Sequence, residues 1–165
     1  MRTFMESIEE VYRRYRSTAE AAMDQLSDEE LIAAPAGAAS SVATIAWHVG
    51  GNLRSRFTDF LTTDGEKPWR DRESEFLART PSRAELLEFW NSGWDVLEAS
   101  LAGVADSNLA DTVTIRGEEL SVIQALHRSL AHTAYHVGQI VHRAKELRGE
   151  DWEYLSIPPG GQADG

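Results

Sequence analysis

The residues best suited to chemistry lie in Ala131-His132-Thr133-Ala134-Tyr135-His136-Val137-Gly138-Gln139-Ile140, where two histidines stand four positions apart in a stretch of helical periodicity. A helix turns about 100° per residue, so positions i and i+4 share a face, and His132 and His136 can point at one metal ion. A single helix cannot easily offer that ion more ligands, so a third must come from elsewhere. The candidate is His48, in Ile45-Ala46-Trp47-His48-Val49, at the edge of the apolar stripe of another predicted helix. Spacing alone leaves two readings open: a shared three-histidine site, or three histidines satisfied separately.

Three neutral imidazoles suit Zn²⁺ or Ni²⁺ and, less selectively, Fe²⁺ or Mn²⁺. Structural zinc sites are closed by four protein ligands, so a three-histidine site keeps a position for water or substrate and leans towards catalysis. A ligating histidine normally donates its other ring N–H to an oxygen, and Asn52, Asp59 and Gln139 are candidate acceptors. Tyr135, Arg54 and Trp69 are candidates for the surroundings of the site. Arg54 and Arg56, one to two turns beyond His48, could meet a cosubstrate carboxylate or simply solvate the surface. His127, near the apolar centre line of its helix, and His142, on the polar side, share no face with the pair and read as structural or surface residues. The chain has no cysteine, which excludes thiolate ligands, disulfides and a nucleophilic protein thiol.

A length of 165 residues suits one domain with a real core, expected over 1–157, with 158–165 as a flexible tail. A formal net charge of -11 repels phosphate backbones and anionic lipid, so neither nucleic acid nor membrane is the expected partner. No charged-then-apolar leader and no apolar run of membrane length stand out, and the expectation is a soluble cytoplasmic protein.

Four long amphipathic helices are predicted. The first spans about Thr3 to Leu26, followed by a Ser27–Glu30 capping box that opens a short helical turn; Pro35 and Gly37 break the chain. The second begins at a Ser40 or Ser41 cap, with Val42, Ile45, Ala46, Val49, Leu53, Phe57, Phe60 and Leu61 as its stripe. Gly50-Gly51 inside it signals either close approach of a group beside His48 or tight helix packing. A long connection, Thr62 to Thr80, carries Trp69, which either covers a pocket or pins the connection to the core. Ser82 and Glu85 cap the third helix, with Trp90 and Trp94 as core and Gly103 as its stop. Thr112–Ile115 alternates like a strand, with a return near Leu120–Val122 after a turn over Arg116–Glu119. Ser121 and Gln124 cap the fourth helix, which ends at Gly149, with Leu126, Leu130, Ala134, Val137 and Val141 as its apolar centre line. The fold class is all-α, a four-helix bundle with a long crossover between the second and third long helices and a small hairpin before the fourth.

Trp47-His48, His132-x-x-x-His136-x-Gly138-Gln139-Ile140 and this helix order resemble the DinB-like (DinB/YfiT-like) metalloenzyme superfamily. The stretches Gly51–Arg70 and Leu147–Trp152 are similar to one branch of it, catalogued as a domain of unknown function. The resemblance implies an up-down-down-up four-helix bundle, usually a homodimer, with a divalent ion held by His48, His132 and His136. It also implies relatives that are S-transferases or isomerases using low-molecular-weight thiols, and others that are metal-dependent hydrolases. The leading expectation is a metal-dependent S-transferase in which a thiol cosubstrate attacks a small electrophile. The alternatives are a metal-dependent hydrolase, a non-catalytic small-molecule binder and a dimeric scaffold.

Overall fold

The computed structural model describes residues 2–35 and 40–157; Gly37 and the expected tail 158–165 lie outside them. The chain is mostly helical. Helix α1 is Thr3–Asp24, α2 is the short Asp28–Ile32, α3 is Val42–Phe57, α4 is Arg83–Ala102 and α5 is Val122–Arg148. A two-stranded antiparallel sheet, β1 (Thr112–Ile115) and β2 (Glu118–Ser121), precedes α5. No helix among the described residues is long and apolar enough to cross a membrane.

Local chemistry sets the boundaries. Side-chain oxygens of Ser27, Ser41, Ser82 and Ser121 each accept the amide three residues on, which satisfies an orphan N–H at the start of α2, α3, α4 and α5. At Ser27, Ser82 and Ser121 the return bond from Glu30, Glu85 or Gln124 completes a capping box. Helix α3 stops sooner than its apolar pattern implies. Thr58 is extended and Asp59 has φ 48°, a left-handed conformation that aspartate tolerates, so Phe60 and Leu61 belong to the following turn. The hairpin is tighter than expected: Arg116 (φ 55°) and Gly117 (φ 75°) make the two-residue turn, and β2 starts at Glu118 rather than Leu120.

The core is continuous, with Trp90, Trp94, Tyr12, Phe57 and Leu126 among its largest fully buried side chains. Tyr12 meets both Trp94 and Phe57 edge-on, at centroid distances of 6.3 and 6.4 Å. Helix α3 is its centre, with thirteen of sixteen residues buried. It therefore has no stripe edge, and His48 is interior, at 2% exposure. Along α5 the buried line runs through Val122, Leu126, Ser129, Thr133, Val137, Ile140 and Ala144, rotated from the expected one, which leaves Leu130 and Val141 half-buried.

Pairs between helices advance in order. Trp47 stacks on Phe89, and Gly50 meets Gly93 further along both α3 and α4. Phe4 packs near His127, and Glu30, in α2 just past the end of α1, faces Arg148, the last residue of α5. Between α1 and α4 the order reverses, with Arg2 bonded to the Leu101 carbonyl and Trp90 to Glu20. The Gly50–Gly93 contact has a plain cause: a Cβ on Gly93 would strike the Gly50 backbone, so glycine lets the two helices touch.

Candidate metal centre

His48 stands in the middle of α3, and His132 and His136 stand four apart on the half-buried margin of α5. The tertiary fold brings them together. The Nε2 of His132 lies 3.3 Å from the Nε2 of His48 and 3.2 Å from the Nε2 of His136. All three ligand atoms fall within 4.8 Å of one another. Two imidazole nitrogens bound to one ion at about 2.0–2.1 Å are about 3.3 Å apart at a tetrahedral angle, so the spacing suits a shared cation.

The other ring nitrogens decide which atoms carry lone pairs. His48 Nδ1 lies 2.7 Å from Oε2 of Glu75, which is 5% exposed. A carboxylate can only accept, so Nδ1 carries a proton, and in the neutral imidazole, the form that binds a metal, Nε2 carries the lone pair. His136 Nδ1 lies 2.7 Å from the Gln139 carbonyl, while the Gln139 amide donates to the Tyr135 hydroxyl at 3.1 Å. With the amide in that orientation, a neutral His136 likewise carries Nδ1–H and its lone pair on Nε2. His132 Nε2 thus faces two lone pairs and can donate to at most one. A cation would satisfy all three nitrogens at once, so the donor set fits a metal.

Electrostatics point the same way. Burial, with the neighbouring His136 and His48, pushes the His132 imidazole down from 6.5 to about 3. His136 is also lowered, chiefly by burial, against the opposing bond to Gln139. Both therefore stay neutral, the state a ligand needs. Burial pushes the Glu75 carboxyl up, but bonds from Arg70 and His48 outweigh it and hold the group below its usual value, as a carboxylate.

Glu75 is the functional residue that periodicity did not find. It lies in a 3₁₀ turn, Glu73–Phe76, inside the long crossover. Arg70 grips it with two bonds of 2.8 Å, from Nε to Oε1 and from Nη2 to Oε2. The crossover is anchored in turn to the hairpin. Asp64 accepts the amides of Arg116 and Gly117, both at 2.8 Å, and the Gly65 amide donates to the Thr114 carbonyl at 2.7 Å. Glu66 joins Arg56 at 3.1 Å to Arg116 at 2.6 Å. Only the carboxylate in a loop of net polar character gave any signal, and several carboxylates there share it.

The two glycines of α3 separate cleanly. A Cβ on Gly51 would collide with the Glu75 carboxylate, so Gly51 admits the group that orients His48, whereas Gly50 serves packing against Phe89 and Gly93. Asn52 is buried and Asp59 exposed, and neither bonds to a histidine among the described residues; Glu75 takes the role on His48 and Gln139 on His136. Trp69 is 53% exposed, so it does not pin the crossover to the core; it stands over Arg54 beside the back of Glu75. Arg56 is committed to Glu66 and the Gly65 carbonyl. His127 and His142 are exposed, His127 against Phe4 and His142 near Glu146. Phe76 lies on the His48 ring at 4.4 Å and Tyr135 meets His136 at 5.0 Å, so aromatic side chains flank the cluster.

The arrangement defines a helical protein with a partly buried group of three histidines that could hold a metal ion. A family model described as "Protein of unknown function (DUF1572)" matches residues 1–161, and the chain belongs to that family. No curated protein matches it.

Proposed function

We propose that this chain is a metal-dependent enzyme of the DinB-like type, an up-down-down-up four-helix bundle acting as a low-molecular-weight-thiol S-transferase on small electrophiles. The observation that carries the metal reading is the convergence of two Nε2 atoms on a third, at 3.2 and 3.3 Å. The bundle order is supported by contacts that advance together between α3 and α4 and between α1 and α5 but reverse between α1 and α4. A divalent ion, Zn²⁺ or Ni²⁺ in this reading, supplies Lewis acidity that brings a thiol to its nucleophilic, deprotonated form near neutral pH.

The protein's own residues do the rest. Glu75 fixes the tautomer of His48, and Gln139 with Tyr135 fixes that of His136. Phe76 covers His48 and limits water at its ring. With three protein ligands and no cysteine, the sulfur has to arrive on a cosubstrate. Hydrolysis is supported less well. It needs a free general base, and both oxygens of Glu75 are held by Arg70, with His48 on one of them.

The test is turnover of a chlorinated aromatic substrate with a panel of small thiols, before and after treatment with a chelator. Thiol-dependent loss of chloride that disappears with the chelator supports the reading. Turnover unaffected by the chelator, or none with any thiol, contradicts it. The same reading makes the chain a homodimer, which light scattering of the purified protein checks.

A further inference from the structure

A groove bordered by Glu75, but lined by none of the three histidines, runs between α3, α4 and the crossover. One part, of about 790 Å³, is lined by Trp47, Phe89, Arg54 and Arg79. It continues into a space of about 460 Å³ walled by Trp69, Arg70 and Glu75. Both volumes fall in the range of small-molecule sites, about 300–1,000 Å³.

The lining is a ladder of rings and guanidinium groups. Arg79 lies 4.7 Å from the Trp47 centroid, and Trp47 stacks on Phe89 at 4.0 Å with 4° between the planes. Arg54 follows, 5.5 Å from Phe89 and 5.6 Å from Trp69. A guanidinium held by its face keeps its fork of N–H donors free at the edge. The Arg54 side chain has neither ion pair nor hydrogen bond among the described residues, unlike Arg56 two positions on. Arg79 gives one bond to the Ser74 carbonyl, and its buried Nε has no partner. Two such arginines on one aromatic wall stand out in a chain of net charge -11. Four carboxylates border the groove and none pairs with Arg54 or Arg79: Glu75 is held by Arg70 and His48, Glu85 is taken by the Ser82 amide and hydroxyl, Asp71 accepts the Ser74 amide, and Glu88 is exposed at the rim.

We propose that this groove binds a small organic carboxylate with an apolar body, independently of any metal. The carboxylate sits on the free edge of Arg54, with Arg79 adding positive potential, and the apolar body lies along the groove-facing edges of Trp47, Phe89 and Trp69. Arg supplies the bidentate geometry a carboxylate needs, and the rings supply apolar area that water does not compete for.

The experiment is calorimetric titration of the full-length protein with 2-naphthoate and with its neutral analogue 2-naphthamide. The acid is expected to bind saturably and at least ten-fold more tightly than the amide. Arg54→Gln should remove that preference, Arg54→Lys should retain part of it, and Arg128→Gln, on the exposed face of α5, should leave it intact. Chelator-treated protein and His132→Ala should bind the acid as wild type does, so failure of the metal reading leaves this result standing. Equal affinity for acid and amide, no saturable binding, an Arg54→Gln variant that binds like wild type, or loss of binding with the metal would each overturn the proposal.

Discussion

Helix α5 and the crossover from Thr58 to Ser82 build the candidate centre by opposite means. On α5, one uninterrupted helix from a Ser121 cap to Gly149 sets His132 and His136 on one face by spacing alone. The crossover contains no long element, yet it delivers Glu75 to within 2.7 Å of His48 Nδ1. Its order comes from polar bonds to distant partners, Asp64 to the hairpin turn and Arg70 to Glu75, rather than from periodicity. Local regularity can set where ligands stand. What fixes the tautomer and orientation of His48 is supplied by tertiary contact.

Breaking the crossover side of that comparison should have the largest effect. Glu75→Ala takes both close bonds from the Arg70 guanidinium, 2% exposed, and leaves it only the longer pair with Glu66 at 3.6 Å; removing one partner of a buried pair costs up to about 3–5 kcal/mol. Urea unfolding should show a loss of that size. Glu75→Gln keeps the volume but weakens the hold on His48, and metal affinity should drop about 10- to 100-fold in a competition titration.

Acid should expose the α5 side. His132 stays neutral in the fold down to about pH 3, whereas in the unfolded chain it takes up a proton near 6.5. Between those values the unfolded chain holds more protons, so the unfolding free energy of metal-free protein falls as pH falls from about 6.5 towards 3. Glu75 acts in the same direction at the lower end, because its lowered carboxyl loses its stabilising charge as it is protonated. His132→Asn should flatten the slope between pH 7 and 5 in urea titrations run with chelator.

Glycine variants sharpen the contrast further. A Cβ on Gly93 meets the Gly50 backbone and one on Gly51 meets Glu75, and overpacking of this kind costs about 1–3 kcal/mol. Gly51→Ala should also weaken metal binding, because Glu75 must move, while Gly93→Ala should not. Gly138, inside α5 itself, has nothing within 4 Å of its Cβ position among the described residues. Gly138→Ala should stabilise α5 by about 0.5–1 kcal/mol in thermal melts and leave metal binding unchanged.

Much of the helical framework was legible because each start carries its own chemistry. Ser27–Glu30, Ser82–Glu85 and Ser121–Gln124 are local signals, and the structure closes all three boxes. Apolar periodicity was less informative where a helix is buried on nearly every side. In α3 it prolonged the helix through Leu61 and gave His48 an edge position that the interior does not have. Gly50-Gly51 was read with two causes, and each glycine turns out to have one of them. Glu75 was hidden for a physical reason: its partners are a residue in α3 and one earlier in the same irregular loop, and no short spacing relates the three. Trp69 was read with two roles, covering a pocket or pinning the connection to the core; it stands exposed over Arg54 and walls the space beside Glu75.

The central claim is that three imidazoles hold one divalent cation. Elemental analysis of protein loaded with a divalent metal and desalted tests it most directly, with wild type beside His48→Ala and His132→Ala of equal folded content by circular dichroism. The expected result is close to one ion per chain in the wild type and less than a tenth of that in either variant. Wild-type protein that retains no ion, or variants that retain as much as wild type, would contradict it.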